Sequence, residues 1–296
     1  MAEQTNLTTR YQLTHRGLGT IWRLEIFEQV TDWQSLKEQI TYTIDQFDDD
    51  YSRFKPDSIL SKLNQNRRTE PNLELEEMLK IALQYYQVTF RIFDISQVHR
   101  LIDQGYGLTK TPTKDLDSRL DQIVRLDRSG VTLAGDRHLD FGGFGKGYLI
   151  DKLARILEEE YHINQYLING GGDILVGDLG GDLIKLALED PWKQNSFLGE
   201  VALSRQALAC SSPAKRKWKL KTGEVYNHLL GNNGEIKLAS MVIAKTALES
   251  DIFATTFTMI SGKEQLELSK KFDLDYLVID QDYQTRYPRN SLFDEL

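Results

Sequence analysis

The sequence predicts an α+β fold in one compact domain spanning residues 1–296. Segments with strand-like alternation and segments with helical periodicity are mixed along the chain, without the regular strand–helix–strand repetition of parallel α/β folds. No internal repeat and no linker rich in Pro, Gly and Ser marks a domain boundary. A chain of 296 residues is also long enough to bury a large core of its own.

The N-terminal part of the chain should contain two strands and a long helix. Residues 11–27 alternate between apolar and polar side chains around two glycines, which predicts two strands joined at a glycine turn. Between residues 33 and 51 the apolar side chains recur at spacings of three and four, which predicts an amphipathic helix capped by Thr31 or Asp32. A polar loop containing Pro56 should follow this helix.

The same two periodicities predict the rest of the fold. A second helix is expected over Leu75–Tyr86, and Val88–Ile95 forms either a strand or a buried turn. Residues 124–133 should form a hairpin with a Ser-Gly turn. The other predicted elements are, in order, a strand ending at Asp140, a helix from the glycines at 142–147 to Tyr161, a strand at Tyr166–Ile168, short strands to about residue 230, a helix from about Lys245 to Ser261, a further helical stretch and a strand at Tyr276–Ile279.

The charge and cysteine content disfavour several classes of protein. Asp and Glu number 44 against 36 Lys and Arg, so the formal net charge is -8, and the one dense basic tract is the short run at 215–219. A protein that binds nucleic acid needs a broad basic face, so we expect no nucleic-acid partner. Because Cys210 is the only cysteine, an intramolecular disulfide and a cysteine-based zinc cluster within one chain are excluded.

No segment of the sequence has the pattern of a signal peptide or a membrane span. Residues 1–16 contain neither an apolar signal-peptide core nor a lipid-attachment cysteine, so we expect a cytoplasmic location. An exported chain from which a leader had been removed would look the same. The longest mostly apolar stretch, Leu238–Ile260, is interrupted by Lys245, Glu249 and Asp251, and we therefore expect no membrane span.

The segment from Asp140 to Tyr148 is a candidate anion-binding loop. Its glycines let the backbone approach a ligand closely, the amides at the start of the following helix would point at an anion, and Lys146 adds a positive charge. It is not a Walker A loop, because Asp140 stands in place of the first glycine and Gly147 in place of the Ser or Thr. A tight turn that merely needs positive φ angles explains the same glycines.

Two further features of the sequence are a candidate metal-binding pair and a candidate catalytic base. Asp251 and Thr255 are four residues apart in a helical pattern, so their oxygens share one face and suit a hard cation such as Mg²⁺. An exposed aspartate and a threonine bonded back to its own helix would show the same spacing. His228 lies near the end of a predicted strand, where a single histidine more often packs or hydrogen-bonds than acts as a base.

Taken together, these segments resemble the ApbE family, the flavin transferases that move FMN from FAD onto a protein. The resemblance covers about residues 18–260. Its most specific part is Asp140–Tyr148 with Asp151 beyond it, which is close to the family signature Asp-x-Gly-Gly-x-Ala-Lys-Gly-Tyr…Asp. The other matching segments are Leu18-Gly19-Thr20, Ser52–Ser58 followed by Leu63-Asn64, Phe93-Asp94, Asn169–Ile174, Asp190-Pro191-Trp192, His228, and Asp251 with Thr255. The resemblance implies an ApbE-like, T-fold-like architecture.

The resemblance also implies roles for the matching positions. The ligands of Mg²⁺ would be Asp251, Thr255 and the backbone carbonyl of Gly143. Lys146 would hold negative charge during catalysis, and either His228 or Asp251 would assist the proton transfer. The residues implied to line FAD are Leu18, Thr20, Phe54, Phe93, Asp94, Asp140, Lys146 and Leu229. The implied partner is an acceptor protein with a Thr or Ser hydroxyl.

Several positions depart from the family pattern. The His-x-x-Asp-Pro turn reads His228–Asn232 here, lacks the carboxylate and the proline, and is one residue shorter. The other departures are Cys210-Ser211-Ser212 for Thr-Ser-Gly, Leu18 for Met, Phe54 for Tyr, Gly145 for Ala, and Arg91 for Gly in the run Thr89–Asp94. The leading hypothesis is Mg²⁺-dependent transfer of FMN from FAD to a protein hydroxyl with release of AMP. The alternatives are a Mg²⁺-dependent FAD pyrophosphatase that gives FMN and AMP, and a non-catalytic FAD-binding protein.

Overall fold

The chain folds into two compact units. The structure, a computed structural model, describes residues 7–96, 119–212, 217–219, 225–227, 238–288 and 291–293. The first unit consists of Met1–Asp45, Phe144–Ala214 and Lys237–Leu296, and the second of Gln46–Gly143 and Lys215–Ile236. Strands and helices are mixed in both, which confirms the α+β class. The expectation of one domain over residues 1–296 stays a prediction.

Strands and helices alternate irregularly along the described residues. The strands are β1 (Tyr11–Gly17), β2 (Thr20–Ile26), β3 (Arg68–Thr69), β4 (Val124–Asp127), β5 (Gly130–Leu133), β6 (Tyr166–Gly170), β7 (Ile174–Val176), β8 (Ile184–Glu189), β9 (Phe197–Leu203), β10 (Gln206–Ser211), β11 (Lys217–Lys219), β12 (Val225–Asn227), β13 (Leu238–Ala244), β14 (Asp275–Asp280) and β15 (Thr285–Arg286). The helices are α1 (Trp33–Tyr51), α2 (Ile59–Asn66), α3 (Leu73–Val88), α4 (Leu120–Ile123), α5 (Gly145–Arg155) with a π-helical turn over Ile156–Glu160, α6 (Ala247–Phe257) and α7 (Gly262–Phe272).

The first unit is built on a large antiparallel sheet. Among the described residues its strand order is β1-β2-β6-β7-β10-β13-β14-β15. The hairpin β1–β2 brings Gly17 opposite Thr20, and β2 continues onto β6 with Trp22 opposite Gly170. This pairing places the β1–β2 turn beside the glycine-rich turn that follows β6.

Helix α6 packs on β10 and β13, and helix α5 packs against α6. The sequence of α6 explains its burial, because Ile252, Phe253, Ala254 and Phe257 point in several directions around the helix and each is at most 1% exposed. A helix with buried apolar groups on several sides exposes little of its surface to water. The Thr246 side chain caps it by accepting a hydrogen bond from the Glu249 amide.

The second unit contains the small sheet β3-β5-β4 and the helices α2 and α3. Its core is made of fully buried aliphatic side chains from α2, α3, α4 and the sheet, namely Leu60, Leu63, Leu75, Met78, Leu79, Leu120, Ile123 and Val131. The helix predicted over Leu75–Tyr86 and the hairpin predicted over 124–133 are confirmed. Between the two alternatives for Val88–Ile95, the structure has a turn, in which Phe90 and Arg91 have φ angles of 57° and 65°.

The prediction of a strand ending at Asp140 is wrong, because the backbone before it pairs with side chains instead of a neighbouring strand. The Asn64 side chain donates to the Leu139 carbonyl at 2.9 Å and accepts from the Leu139 amide at 2.7 Å. The Arg67 guanidinium donates to the carbonyls of Ala134 and Arg137. These bonds satisfy the backbone of an extended segment without a sheet.

Two other elements differ from the prediction. A helix, α2, occupies part of the region expected to be a polar loop, because Ser58 caps it and Leu60 and Leu63 are buried on one side. The strand β13 was not predicted, since its buried run has no apolar–polar alternation. The two N-terminal strands and the helix α1 are confirmed, and the Asp32 carboxylate accepts from the Ser35 amide as a cap. In the part of the chain that the structure describes, no helix is both long and apolar enough to cross a bilayer.

Candidate active site

The candidate site in the first unit centres on the start of α5 and the second turn of α6. The Gly147 amide, which is the third of α5, donates to Oδ2 of Asp251 at 3.1 Å. The Lys146 ammonium lies 3.6 Å from the same oxygen. Asp251 is 6% exposed, so it is not the solvent-facing aspartate of the alternative explanation. The structure therefore brings Lys146 and Asp251 into one buried polar cluster.

Gly147 is a glycine because the two helices meet there. A Cβ atom at this position would lie 2.8 Å from the carbonyl carbon of Ala247 and 2.9 Å from the Cβ of Asp251. Real Cβ atoms essentially never come within 3.0 Å of such neighbours. The glycine thus permits the close approach that carries Asp251 to the α5 amide.

A second carboxylate, Asp173, completes the cluster. It follows the turn Gly170–Gly172 and forms an ion pair with Lys146, and its side chain is 5% exposed. Gly171 and Gly172 have φ angles of 75° and 102°, which explains why this turn needs glycine. Two carboxylates and one ammonium leave the cluster with one net negative charge. The sequence predicted no role for Asp173, although the matching segment Asn169–Ile174 contains it.

Thr20 and Leu18 lie on the turn that neighbours this glycine segment. A Cβ atom on Gly171 would lie 2.9 Å from the Cβ of Thr20, so the Thr20 side chain rests directly on that glycine. Leu18 has a φ angle of 51°, which is an uncommon conformation for a bulky residue. The turn therefore presents Thr20 toward the Asp173 segment.

The oxygen atoms around Asp251 fit the Mg²⁺ ion that the family resemblance implies. Oδ1 of Asp251 accepts no hydrogen bond from the described residues, and the Thr255 hydroxyl lies 3.5 Å from the Ser211 hydroxyl. Thr255 does not bond back to its own helix within the described part, whereas Thr256 does, to the Ile252 carbonyl. Among the described residues no group of three or more His, Cys, Asp or Glu could hold a metal ion, so the ion would depend on a single carboxylate together with hydroxyl oxygens. One carboxylate and hydroxyl oxygens match an ion that takes few protein ligands.

Asp151 holds the start of α6. Its two carboxylate oxygens accept hydrogen bonds from the Ala247 and Leu248 amides at 2.8 and 2.9 Å. Burial raises the pKa of Asp151 to about 6, against the opposing effect of these two hydrogen bonds and of Arg155. Asp151 belongs to the signature in the sequence, but nothing in its spacing indicated this contact.

The second unit holds the residues that precede the glycine loop. The Asp140 carboxylate accepts a hydrogen bond from the Gly142 amide at 3.0 Å and forms an ion pair with Arg53 at 3.2 Å. The backbone amide of Asp140 donates to the Ile95 carbonyl, which positions the residue. The Arg53 guanidinium also lies 4.1 Å from the centre of the Phe54 ring, which is 55% exposed. Asp140 therefore shapes the turn at Gly142.

Phe93 and Asp94 are buried in the second unit. Asp94 accepts from the amide and the hydroxyl of Ser96 at 2.8 and 2.7 Å, and lies 3.6 Å from Arg137. A Cβ atom on Gly143 would lie 3.5 Å from the Phe93 ring, an ordinary contact. Asp94 is thus already engaged by protein groups.

The predicted site residues are divided between the two units. Leu18, Thr20, Lys146, Asp251 and Thr255 belong to the first unit. Those of the second unit are Phe54, Phe93, Asp94, Asp140 and Gly143. His228 and Leu229 lie outside the described residues, as does the rest of the altered His228–Asn232 turn. The roles that the resemblance implies for all these residues stay predictions.

Comparison with known proteins identifies the family of this chain. The model of the ApbE family matches residues 18–278. The chain belongs to the ApbE family. Among its ApbE relatives, the FAD:protein FMN transferase of Escherichia coli strain K12 is 25% identical over 302 residues, which cover 93% of this chain and 86% of the relative. The FAD:protein FMN transferase of Klebsiella pneumoniae is 26% identical, with coverage of 88% and 81%.

Solved ApbE structures have the same fold. The ApbE protein of Thermotoga maritima has a TM-score of 0.83 at 20% identity and covers 94% of this chain and 97% of its own. The apo flavinyl transferase ApbE of Pseudomonas stutzeri has a TM-score of 0.78 at 19% identity, with coverage of 100% and 98%. At these identities the likeness establishes the fold alone.

Proposed function

We propose that this chain is an FAD:protein FMN transferase that uses Mg²⁺ and releases AMP. The observation that carries the proposal is the buried cluster of Lys146, Asp173 and Asp251 at the N-terminal end of α5. Cationic groups and amides at a helix N-terminus stabilise phosphate oxygens. The consistent name of the relatives supports FAD as the phosphate-bearing substrate.

The reaction is a phosphoryl-group displacement. The oxygen of a Thr or Ser hydroxyl on the acceptor protein attacks the FMN-side phosphorus of FAD, the bond from that phosphorus to the bridging oxygen breaks, and AMP leaves with the bond electrons. The hydroxyl proton passes to a base, for which Asp251 and His228 are the candidates. A bound Mg²⁺ ion would supply Lewis-acid stabilisation of the diphosphate charge.

The residues of this chain would bind and orient the diphosphate. Asp251 and Thr255 would hold the ion, and Oδ1 of Asp251 is the oxygen without a hydrogen bond to the described residues. Lys146 would place its ammonium against a phosphate oxygen on which negative charge develops. Asp173 pairs with that ammonium and, together with Asp251, holds it at the N-terminal end of α5.

The test measures both products. The protein is incubated with FAD, MgCl₂ and an acceptor protein that the Escherichia coli relative modifies, and the acceptor is analysed by mass spectrometry while AMP is quantified. We expect an acceptor adduct with the mass of FMN less one water, and an equal amount of AMP. AMP formed equally without acceptor would indicate a pyrophosphatase, and FAD binding with no AMP would indicate a binding protein; either result rejects the transferase.

A matched pair of variants links the chemistry to the cluster. Asp251→Asn removes one charge from the buried cluster. Asp178→Asn removes a carboxylate of the same unit that pairs with Arg205 at the surface. Only Asp251→Asn should weaken the dependence on MgCl₂ and lower AMP formation at least about tenfold. Equal loss in both variants would show that the effect is unrelated to the cluster.

A further inference from the structure

Helices α5 and α6 cap each other's N-termini, and we propose that Asp151 is for this reason a positioning residue that holds Asp251 in the site. The inference rests on the proposed function for its catalytic consequence. Asp151 does not touch the cluster itself. It acts through the first turn of α6, which lies between it and Asp251.

The first of these two caps is the one that Asp151 of α5 provides for the N-terminus of α6. The first three amides of a helix have no partner within the helix. In α6, the first two donate to the two oxygens of Asp151 at 2.8 and 2.9 Å, and the third, from Glu249, donates to the Thr246 hydroxyl at 3.2 Å. Every amide of this turn therefore has an acceptor, and two of the three acceptors are on another helix.

The second cap is the one that Asp251 of α6 provides for the N-terminus of α5. The residue before α5, Phe144, makes no side-chain cap, and the third amide of α5, from Gly147, donates to Oδ2 of Asp251. Gly147 and Asp151 are four residues apart, so they lie on one face of α5. That face meets α6 at both points, at Asp251 and at the Ala247 and Leu248 amides.

The two caps are coupled because the first two turns of α6 belong to one helix and move together. If Asp151 no longer binds the Ala247 and Leu248 amides, the first turn of α6 is released from α5. The hydrogen bond from the Gly147 amide to Asp251, which lies one turn further along α6, then loses the contact that holds its donor and acceptor together. Asp251 would drift from both Gly147 and Lys146, and the phosphate-binding cluster would lose its geometry. A displacement of about 1 Å is enough to cost up to a hundredfold in rate.

Thr246 offers a matched control. Thr246→Ala removes one capping hydrogen bond from the same helix turn but leaves both bonds to Asp151. Asp151→Asn is nearly isosteric, yet its amide nitrogen cannot accept one of the two N–H groups. Ala247→Pro removes one of these N–H groups from the other side, at the helix position where proline is tolerated and after a residue that is already extended, with φ -123° and ψ 151°.

The experiment measures amide hydrogen exchange in a peptide covering residues 145–150, together with FAD-dependent AMP formation across a MgCl₂ titration. We expect Asp151→Asn and Ala247→Pro to speed exchange of the Gly147 amide at least about tenfold, and Thr246→Ala to change it less than about twofold. The two tether variants should also need more MgCl₂ for half-maximal AMP formation. If either tether variant does not fold, the other decides.

Two results would overturn the inference. One is an unchanged Gly147 exchange rate in the folded tether variants, and the other is an equal acceleration in Thr246→Ala. If the wild-type protein forms neither AMP nor an FMN adduct, the proposed function is rejected, and the exchange rates alone then decide whether Asp151 positions Asp251.

Discussion

The contact between Gly147 and α6 allows one substitution to be worked out in detail. Gly147→Ala adds a Cβ atom 2.8 Å from the Ala247 carbonyl carbon and 2.9 Å from the Asp251 Cβ, whereas ordinary contacts begin at 3.4 Å. These two distances fall short of ordinary contact by about 0.6 Å and 0.5 Å, and the Ala247 carbonyl oxygen lies closer still, so α5 and α6 must separate by more than half an ångström. Both neighbours belong to a buried helix, and neither is a flexible side-chain end.

The energetic effect is a balance of two opposing contributions. Overpacking of this kind costs about 1–3 kcal/mol. Alanine gains at most about 1 kcal/mol over glycine in a helix. The balance is a net loss of up to about 2 kcal/mol, which corresponds to a decrease in Tm of up to about 4–8 °C by the scaling for domains of 150–250 residues. Because the separation moves Asp251 away from the α5 amide, turnover should fall at least about tenfold.

Gly262→Ala is the matched control for this substitution. Gly262 is the first residue of α7, and a Cβ atom there would meet only the Arg286 side chain, at 3.5 Å. The assay compares the Tm of both variants by calorimetry and their AMP formation from FAD. We expect Gly262→Ala to match the wild type or exceed it slightly in Tm. Equal Tm and equal turnover in the two variants would refute the close approach of α5 and α6.

Four other predictions concern single residues. Asp251→Asn should weaken the dependence on MgCl₂ and reduce turnover at least about tenfold, or about 1.4 kcal/mol, in steady-state AMP assays. Lys146→Ala should mainly raise the FAD concentration needed for half-maximal rate, and titration of FAD binding will check it. The pKa of Asp151 is raised from 3.8 to about 6, so the folded state binds this proton more tightly than the unfolded state does. The group therefore adds stability as the pH falls from 7 to 4. In urea unfolding, the free energy of unfolding of the wild type should rise by up to about 3 kcal/mol over this range relative to that of Asp151→Asn. Arg91→Gly should raise Tm by about 1–3 °C, because Arg91 has a φ angle of 65° and is exposed, and no change in calorimetry would contradict the strain.

Periodicity predicted the elements that have one apolar face. Helix α1 and the hairpin β1–β2 were predicted for this reason, and the hairpin β4–β5 was predicted with the help of its Ser-Gly turn. Strand β13 was missed because both of its faces are buried. The extended segment before Asp140 was mistaken for a strand because its hydrogen-bond partners are the side chains of Asn64 and Arg67, about 70 residues away.

The candidate site was predicted as a set of residues but not as a set of contacts. The order of motifs led to Lys146, Asp251 and Thr255, whereas the ion pair of Lys146 with Asp173 and the cap of α6 by Asp151 had no local signal. Each of these contacts joins residues that are far apart in sequence, so no spacing rule applies to them. Only the fold of the sheet and the packing of α5 on α6 bring them together.

The choice between an exposed and a functional Asp251 could have been made from the sequence of α6 itself. Spacing to Thr255 left both explanations open, but Asp251 is followed directly by Ile252, Phe253 and Ala254, which place apolar groups on several sides of the helix. This favours a buried position for Asp251, and a buried carboxylate is costly unless cations or N–H groups pair with it. The pattern therefore required a partner for Asp251 elsewhere in the chain, and a lysine followed by a glycine at the start of a helix supplies both an ammonium and an accessible amide. The same reasoning applies to Asp151, which lies on α5 among buried residues and finds its partners in the unpaired amides of α6.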